Sequence, residues 1–253
     1  MKKKRLFTAL LLLGMLAGSG GSEEAPAIRC YRKDDGFKLD GRLDDAAWKN
    51  KLAVKTFFKS KEMGPAKYQT EVLLMWDAEF LYCGAVMRDE DIVGHYPNRD
   101  DPLYKEDAFE IFIRPDARNN FIFEFEFSPA GIIWDGRNRR TLNPYKSEGD
   151  PKAWNAPGIL CAVCVDGTLN DRQDKDRSWS VEIMIPFKAF AGAIEVPPSA
   201  GDCWPMIFAR CESAVFLDKA EWSASIPISQ YGFWENYGEW RGVYFAPERP
   251  EKE

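Results

Sequence analysis

The sequence predicts an all-β protein: an antiparallel β-sandwich of the jelly-roll or immunoglobulin-like two-sheet type, with long loops and short helices. Many short segments alternate apolar and polar residues, turn-forming residues separate them, and no long helical pattern lies between them. The chain has 253 residues, of which 45% are hydrophobic, 29% charged and 14% aromatic, so it has enough apolar residues for a substantial core. We expect a single domain over residues 28–247.

Eight segments show the two-residue periodicity of strands. They are Tyr68–Trp76, Phe80–Met87, Asp107–Arg114, Phe121–Ser128, Ile159–Val165, Ser178–Ile185, Trp204–Cys211 and Gly242–Phe245. Helical patterns are short, at Asp44–Lys51 and at Phe187–Phe190. Three long stretches are predicted to be loops: Asp89–Glu106, Gly136–Ala156 and Glu212–Glu239.

Alternation assigns the side chains of each strand to two faces. In Phe121–Ser128 the odd positions are all phenylalanine, whereas Glu124 and Glu126 occupy even positions. Asp107–Arg114 has the same pattern, with Glu110 opposite an apolar row. We therefore expect one face of each strand to lie in the core between the sheets and the other face to be acidic.

The three glutamates at positions 110, 124 and 126 are open to two interpretations, as solvated charges or as part of a binding site beside the aromatic-bearing loops. Ser178–Ile185 repeats the alternation, and there we expect Glu182 to be a solvated charge. Trp48 and Trp179 are assigned to the core.

The N-terminus has the layout of a secretory signal peptide. Basic residues in Met1–Arg5 precede an apolar run of 11 residues, Leu6–Leu16, and a stretch of small residues, Ala17–Gly21. The apolar run is shorter than the ~20 residues that a membrane-spanning helix needs. We expect a signal peptide over about residues 1–22, export to the periplasm or the extracellular space, and a charged tail at 248–253.

Charge and composition argue against several functions. The formal net charge of −6 disfavours nucleic-acid binding, and the single histidine, His95, leaves little room for histidine-rich zinc sites. Six cysteines permit three disulfides, but buried free thiols are equally consistent with a chain of this size. Cys161 and Cys164 have the spacing of a redox motif, yet residues three apart in a strand point to opposite faces.

Six segments, in order, resemble the motifs of the family 9 carbohydrate-binding modules, which have a DOMON-like β-sandwich. They are Leu39–Trp48, Trp76–Tyr82 with Asp89–Asp91 after it, Arg99–Ile113, Ser128–Gly131, Ser178–Phe187 and Tyr237–Trp240. The resemblance covers nearly all of the chain after the signal peptide. It implies a sandwich that binds sugar between two aromatic rings, with polar side chains bonded to the sugar hydroxyls.

The resemblance and the acidic strand faces together name candidate sugar-binding residues. In the family, one ring lies six residues before a glutamate, which corresponds here to Tyr104 and Glu110. The second ring lies shortly before the closing aromatic-glycine pair, where Tyr231 has the nearest spacing and Trp234 follows. The predicted sugar-binding set is Tyr104, Glu110, Glu124, Glu126, Tyr231 and Trp234. The best-understood family site has tryptophan at both ring positions, so tyrosine at 104 is a departure.

We therefore expect a secreted, non-catalytic protein that binds a neutral sugar or oligosaccharide end and supports polysaccharide breakdown or capture. Its expected partners are the saccharide and separate polysaccharide-degrading enzymes, with no nucleic acid, membrane span or organic cofactor. Three alternatives remain open: a surface interaction module with a decayed sugar site, a glycoside hydrolase using Glu110 with Glu124 or Glu126, and a haem-binding sandwich using His95.

One structural calcium also remains open, because several carboxylates cluster in predicted loops and calcium prefers oxygen ligands. The candidates are Asp77, Glu79, Asp89, Glu90, Asp91, Asp100 and Asp101. The ligands are not assigned.

Overall fold

The computed structural model describes residues 27–115, 121–140, 147–148, 154–193, 196–228 and 239–247. The predicted signal peptide and the charged tail lie outside these ranges. Fourteen strands lie within them: β1 Ile28–Arg32, β2 Leu52–Val54, β3 Phe58–Lys59, β4 Thr70–Trp76, β5 Phe80–Arg88, β6 Ala108–Ile113, β7 Phe121–Phe127, β8 Ile133–Arg140, β9 Ser147–Glu148, β10 Leu160–Asp166, β11 Ser178–Pro186, β12 Cys203–Glu212, β13 Glu221–Ala224 and β14 Arg241–Phe245.

Short 3-10 turns lie at Ala46–Trp48, Leu103–Lys105 and Phe187–Phe190, and Glu239 also has 3-10 conformation. None of the described helical segments has the length and apolarity that crossing a membrane requires. The helix predicted over Asp44–Lys51 is thus reduced to one turn, whereas the prediction at Phe187–Phe190 agrees with the observed 3-10 turn.

The strands form a curled sheet in the order β10-β11-β5-β4-β1-β14-β12-β6-β7-β8-β9. Strand β2 pairs with β4, and β13 pairs with β12 and β3. The pairings of β1 with β14 and with β4 are parallel, and the other strand pairs are antiparallel. The start of β1 pairs with β14 and its end with β4, so this strand joins the two halves of the sandwich.

The main hydrophobic core lies between the two halves. Trp76 and Val181 contribute from one half, and Phe109, Phe123 and Phe208 contribute from the other. These side chains are almost fully buried. Complete burial of a large apolar side chain stabilises the fold by about 1.5–3 kcal/mol, so this shared core is what holds the halves face to face. The β-sandwich prediction is confirmed.

All eight predicted strands are present, with ends that differ by only one or two residues. Two loop predictions were wrong in part. Strand β8 overlaps the predicted loop 136–156 and β9 lies within it, and β13 lies within the predicted loop 212–239. Strand β8 lacks an apolar alternation because Asp135 and Arg137 stand opposite Phe125 and Phe123 on the core side. Its polar residues made it resemble a loop in the sequence.

Trp48 and Trp179 are buried, as predicted, but the expectation that Glu182 is solvated was wrong. Glu182 is fully buried on the outer face of β11. One carboxylate oxygen accepts the backbone N–H groups of Asp40 and Gly41, each at 2.8 Å, and the other accepts Trp48 Nε1 at 2.6 Å. The N-terminal segment therefore covers this face and is anchored to one carboxylate.

Replacing Glu182 by alanine should destabilise the protein by about 2–4 kcal/mol, because three donors would lose their acceptor in a buried place. The free energy of unfolding in urea measures this effect. Glu71→Ala, at an exposed position on β4, is the matched control and should change stability by less than about 0.5 kcal/mol. Equal effects of the two substitutions would contradict the anchoring role.

Candidate functional site

The acidic face predicted from the alternation exists, and we use this name for the outer surface of β6 and β7 with Glu110, Glu124 and Glu126. Phe109 pairs with Phe127 on the core side, and in the next register position Glu110 stands directly opposite Glu126. Glu124 lies two positions further in the register, opposite Phe112. Burial of the phenylalanine rows therefore sets the positions of the glutamates.

The two opposed carboxyl groups are not solvated. Glu110 and Glu126 are each only 3% exposed. The Cys211 thiol, on β12, donates to Glu110 Oε1 at 3.2 Å. Burial raises the pKa of Glu110 to about 7, although the thiol hydrogen bond opposes the shift. A neutral carboxyl beside Glu126 relieves the repulsion that two like charges would have in this register.

Tyr104 lies beside this pair. It belongs to the 3-10 turn Leu103–Lys105, in which Leu103 is buried and Tyr104 is 45% exposed. The Tyr104 backbone N–H donates to Glu126 Oε2 at 3.1 Å. The turn is thus fixed to the acidic face by one buried contact and one hydrogen bond, which leaves the Tyr104 ring at the surface next to the glutamates.

The structure brings four of the six predicted residues to one face. Glu124 is partly exposed and lies between Phe112 and Gly136 in the sheet. Tyr231 and Trp234 lie outside the described residues, so their predicted role stays a prediction.

Two tryptophans beside the acidic face were missed by the sequence reasoning. Trp134 stands opposite Glu126 on β8, and Trp222 stands opposite Cys211 on β13. Both pack with Leu103 in a small apolar cluster. Trp222 lies in a stretch predicted to be a loop, and Trp134 lies on a strand that lacks apolar alternation. A sequence pattern would have found them only if β8 and β13 had been identified.

Three buried carboxylates, Asp89, Asp107 and Glu212, lie within 4.8 Å of one another and resemble a metal site. Arg210 already occupies this cluster, because its guanidinium donates to Asp89 at 3.1 Å and to Glu212. Asp107 accepts backbone N–H groups of the neighbouring loops, and burial raises its pKa to about 7. A cluster with its own buried cation does not fit a calcium ion, so the calcium expected from the sequence is not assigned here.

Two other loop carboxylates named as calcium candidates have protein partners, whereas the buried Oδ1 of Asp100 has no hydrogen-bond partner in the structure. Asp77 accepts the N–H groups of Glu79 and Phe80 and the Tyr82 hydroxyl, which is the role of a turn former. Asp91 accepts from the guanidinium of Arg172. These contacts account for Asp77 and Asp91, and the calcium ion stays a prediction.

The cysteines and the histidine take part in no comparable cluster within the described residues. All six cysteines are free thiols. Cys161 packs towards the core, whereas Cys164 lies three residues along the strand, beside the backbone of Gly41, so the two thiols do not form a redox pair. His95 is exposed, and its ring lies 3.1 Å from the carboxylate of Glu106.

The fold is that of a β-sandwich, and comparison with known proteins gives the family. Residues 39–236 match the family described as "Carbohydrate family 9 binding domain-like". The chain therefore belongs to the family 9 carbohydrate-binding modules, as the sequence motifs indicated. This is a family of binding modules that are generally non-catalytic. A search among curated proteins found no match.

Solved structures share the fold at low sequence identity. A candidate carbohydrate-binding protein from Bacteroides uniformis is 13% identical, with a TM-score of 0.63 over 87% of this chain and 100% of the other. A family 9 module from Caldicellulosiruptor kristjanssonii in complex with cellotriose is 14% identical, with a TM-score of 0.56 over 88% and 95% of the two chains. Its complex with glucose is 14% identical, with a TM-score of 0.56 over 89% and 99%.

Glu110→Gln should change how stability depends on pH. Because burial raises the pKa of Glu110 from its ordinary 4.5 to about 7, the wild type loses stability as the pH rises through this window and the carboxyl ionises. Glutamine keeps an acceptor for the Cys211 thiol and cannot ionise. Between about pH 5 and about pH 8 the variant should gain on the order of 2 kcal/mol relative to wild type.

The measurement is the free energy of urea unfolding at both pH values for wild type, Glu110→Gln and the exposed control Glu71→Gln. The control should follow the wild-type pH profile. Parallel profiles for wild type and Glu110→Gln would show that Glu110 ionises without cost to the fold.

Proposed function

We propose that the protein is a secreted, non-catalytic carbohydrate-binding protein that holds a neutral sugar or oligosaccharide end over the acidic face. The observation that carries the proposal is the hydrogen bond from the Tyr104 backbone to Glu126, the residue opposite Glu110. It gathers three predicted residues from separate elements at one place. Family membership supports the proposal, as do the sugars bound in the two Caldicellulosiruptor kristjanssonii complexes.

The exposed Tyr104 ring supplies the apolar wall of the proposed site. A pyranose presents a face of C–H groups with slight positive charge, and the face of an aromatic ring is negative. Stacking also removes apolar area from water, at about 25 cal/mol per Å². Glu124 is partly exposed and offers acceptors to the sugar hydroxyls, whereas Glu110 and Glu126 form the buried floor beneath them.

The second wall is proposed to come from Tyr231 or Trp234. Their segment lies between Ile228 and Trp240, which are both buried in the apolar cluster on the outer side of the sheet with Phe112. The described residues on either side of the segment therefore pack on the same surface as the acidic face. This placement and the family resemblance support a two-ring slot.

Binding is favoured over hydrolysis by the state of the carboxyl pair. A glycosidase needs one carboxyl to reach the glycosidic oxygen and a second to act as nucleophile or to activate water. Glu110 is bonded to the Cys211 thiol and Glu126 to the backbone of Tyr104, and both are buried. These contacts support a structural role for the pair, as the floor of the proposed site.

The proposed site excludes acidic sugars, because Glu124 and Glu126 would repel a uronate carboxylate. A neutral ligand in an exported protein is consistent with capture of polysaccharide fragments beside separate degrading enzymes. The signal peptide expected over residues 1–22 supports export, and the mature N-terminus of the exported protein would test it.

Tyr104→Ala should weaken binding of a neutral saccharide by about tenfold or more, because the stacking surface is lost. Calorimetry with glucose, xylose and cello-oligosaccharides measures the change, and Tyr104→Trp should retain or strengthen binding. Tyr244→Ala removes an exposed tyrosine on β14 and serves as the matched control.

The same samples should release no reducing ends from the oligosaccharides that bind. Thermal unfolding of each variant separates lost binding from lost folding. No heat with any member of a broad neutral panel would sink the proposal and favour the alternative of an interaction module with a decayed sugar site.

A further inference from the structure

A concave site lies at the edge of the sheet, beside β3 and β13. It is a cleft of about 600 Å³ between the residues around β3 and the loop that leads into β13. This volume falls in the range of about 300–1,000 Å³ typical of small-molecule sites. We call it the lysine cleft, because Lys59, Lys61, Lys67 and Lys219 line it.

The charge of the lysine cleft differs from that of the rest of the molecule. Its four lysines stand against three acidic residues, Glu62, Asp218 and Glu221, in a chain whose formal net charge is −6. A local excess of positive charge in an acidic protein attracts anionic ligands and raises their local concentration. Neutral ligands gain nothing from this feature.

Among the described contacts of the cleft, those of the Lys67 amine best suit a ligand carboxylate. Lys59 lies 3.4 Å from Glu221 and 3.7 Å from Glu62, so these charges compensate one another. The Lys67 amine donates to the Phe216 carbonyl at 2.7 Å and lies 5.0 Å from the Tyr68 ring centroid. Its hydrogen-bond acceptor is therefore neutral. Its charge also acts on Glu90, whose pKa is lowered mainly by the hydrogen bonds of Lys175 and Tyr68 and further by Lys67.

Aromatic side chains line the same cleft. Phe216 is 44% exposed, and Trp222 is partly buried with one side packed near Leu103 and Cys211. Exposed aromatic surface beside charged groups is the combination that recognises a sugar ring carrying a charge. Ser60 also lines the cleft, and its buried hydroxyl oxygen has no hydrogen-bond partner in the structure.

We propose that the lysine cleft is a second saccharide site, selective for an acidic sugar of the uronic-acid type. The sugar ring lies against Phe216 and Trp222, and its carboxylate pairs with Lys67. The site is independent of the proposed neutral-sugar site, since it shares none of the predicted sugar-binding residues and has the opposite charge preference.

The probe is a galacturonic-acid oligosaccharide, titrated by calorimetry into the full-length mature protein at low and high salt. Lys67→Gln keeps a donor for the Phe216 carbonyl but removes the charge, and it should weaken binding by about fivefold or more. Phe216→Ala should weaken it to a similar degree, whereas Lys67→Arg should retain binding. Lys188→Gln, at an exposed position outside the cleft, is the matched control and should bind as wild type.

Two comparisons separate this proposal from the function of the acidic face. Glu110→Gln and Tyr104→Ala should leave galacturonate binding unchanged, and Lys67→Gln should leave neutral-sugar binding unchanged. Failure of neutral-sugar binding alone would therefore not affect the lysine cleft. Absence of saturable galacturonate binding would overturn the proposal, as would equal losses in Lys67→Gln and Lys188→Gln, because the latter result indicates diffuse charge attraction.

Discussion

The candidate site depends on the burial of the phenylalanine row of β7 against the apolar row of β6. Because side chains alternate along a strand, committing Phe123, Phe125 and Phe127 to the core commits Glu124 and Glu126 to the outer face. A slip of one residue would bury two carboxylates in the main core and expose the aromatic rings. The hydrophobic effect therefore fixes the register that places Glu110 opposite Glu126.

Several carboxyl groups are buried in the molecule, and three different arrangements offset the free-energy cost of their desolvation. Glu182 is surrounded by three N–H donors from the N-terminal segment. Glu212 shares the guanidinium of Arg210 with Asp89. Glu110 has a thiol donor and a raised pKa. Burial raises the pKa of all three carboxyl groups, and in each case the donors oppose that shift. The donors of Glu182 and Glu212 also hold distant segments together.

The sequence was sufficient for the eight strands and for the acidic face, because both depend on a local period of two residues. It was not sufficient for β8, whose inward Asp135 is neutralised by Arg99, 36 residues away. It also misjudged Glu182, whose donors lie about 140 residues earlier in the chain. Local patterns cannot show which segment covers an outer face. Trp134 and Trp222 were missed for the same reason, since their importance comes from neighbours on other strands.

The acidic face and the lysine cleft are joined by one side chain. Trp222 stands opposite Cys211, the thiol donor of Glu110, and also lines the cleft. Under the two proposals, a polysaccharide with a neutral end and a uronic acid further along its chain would contact both surfaces. A uniformly acidic polymer would meet repulsion at the glutamates, and a uniformly neutral one would gain nothing from the lysines.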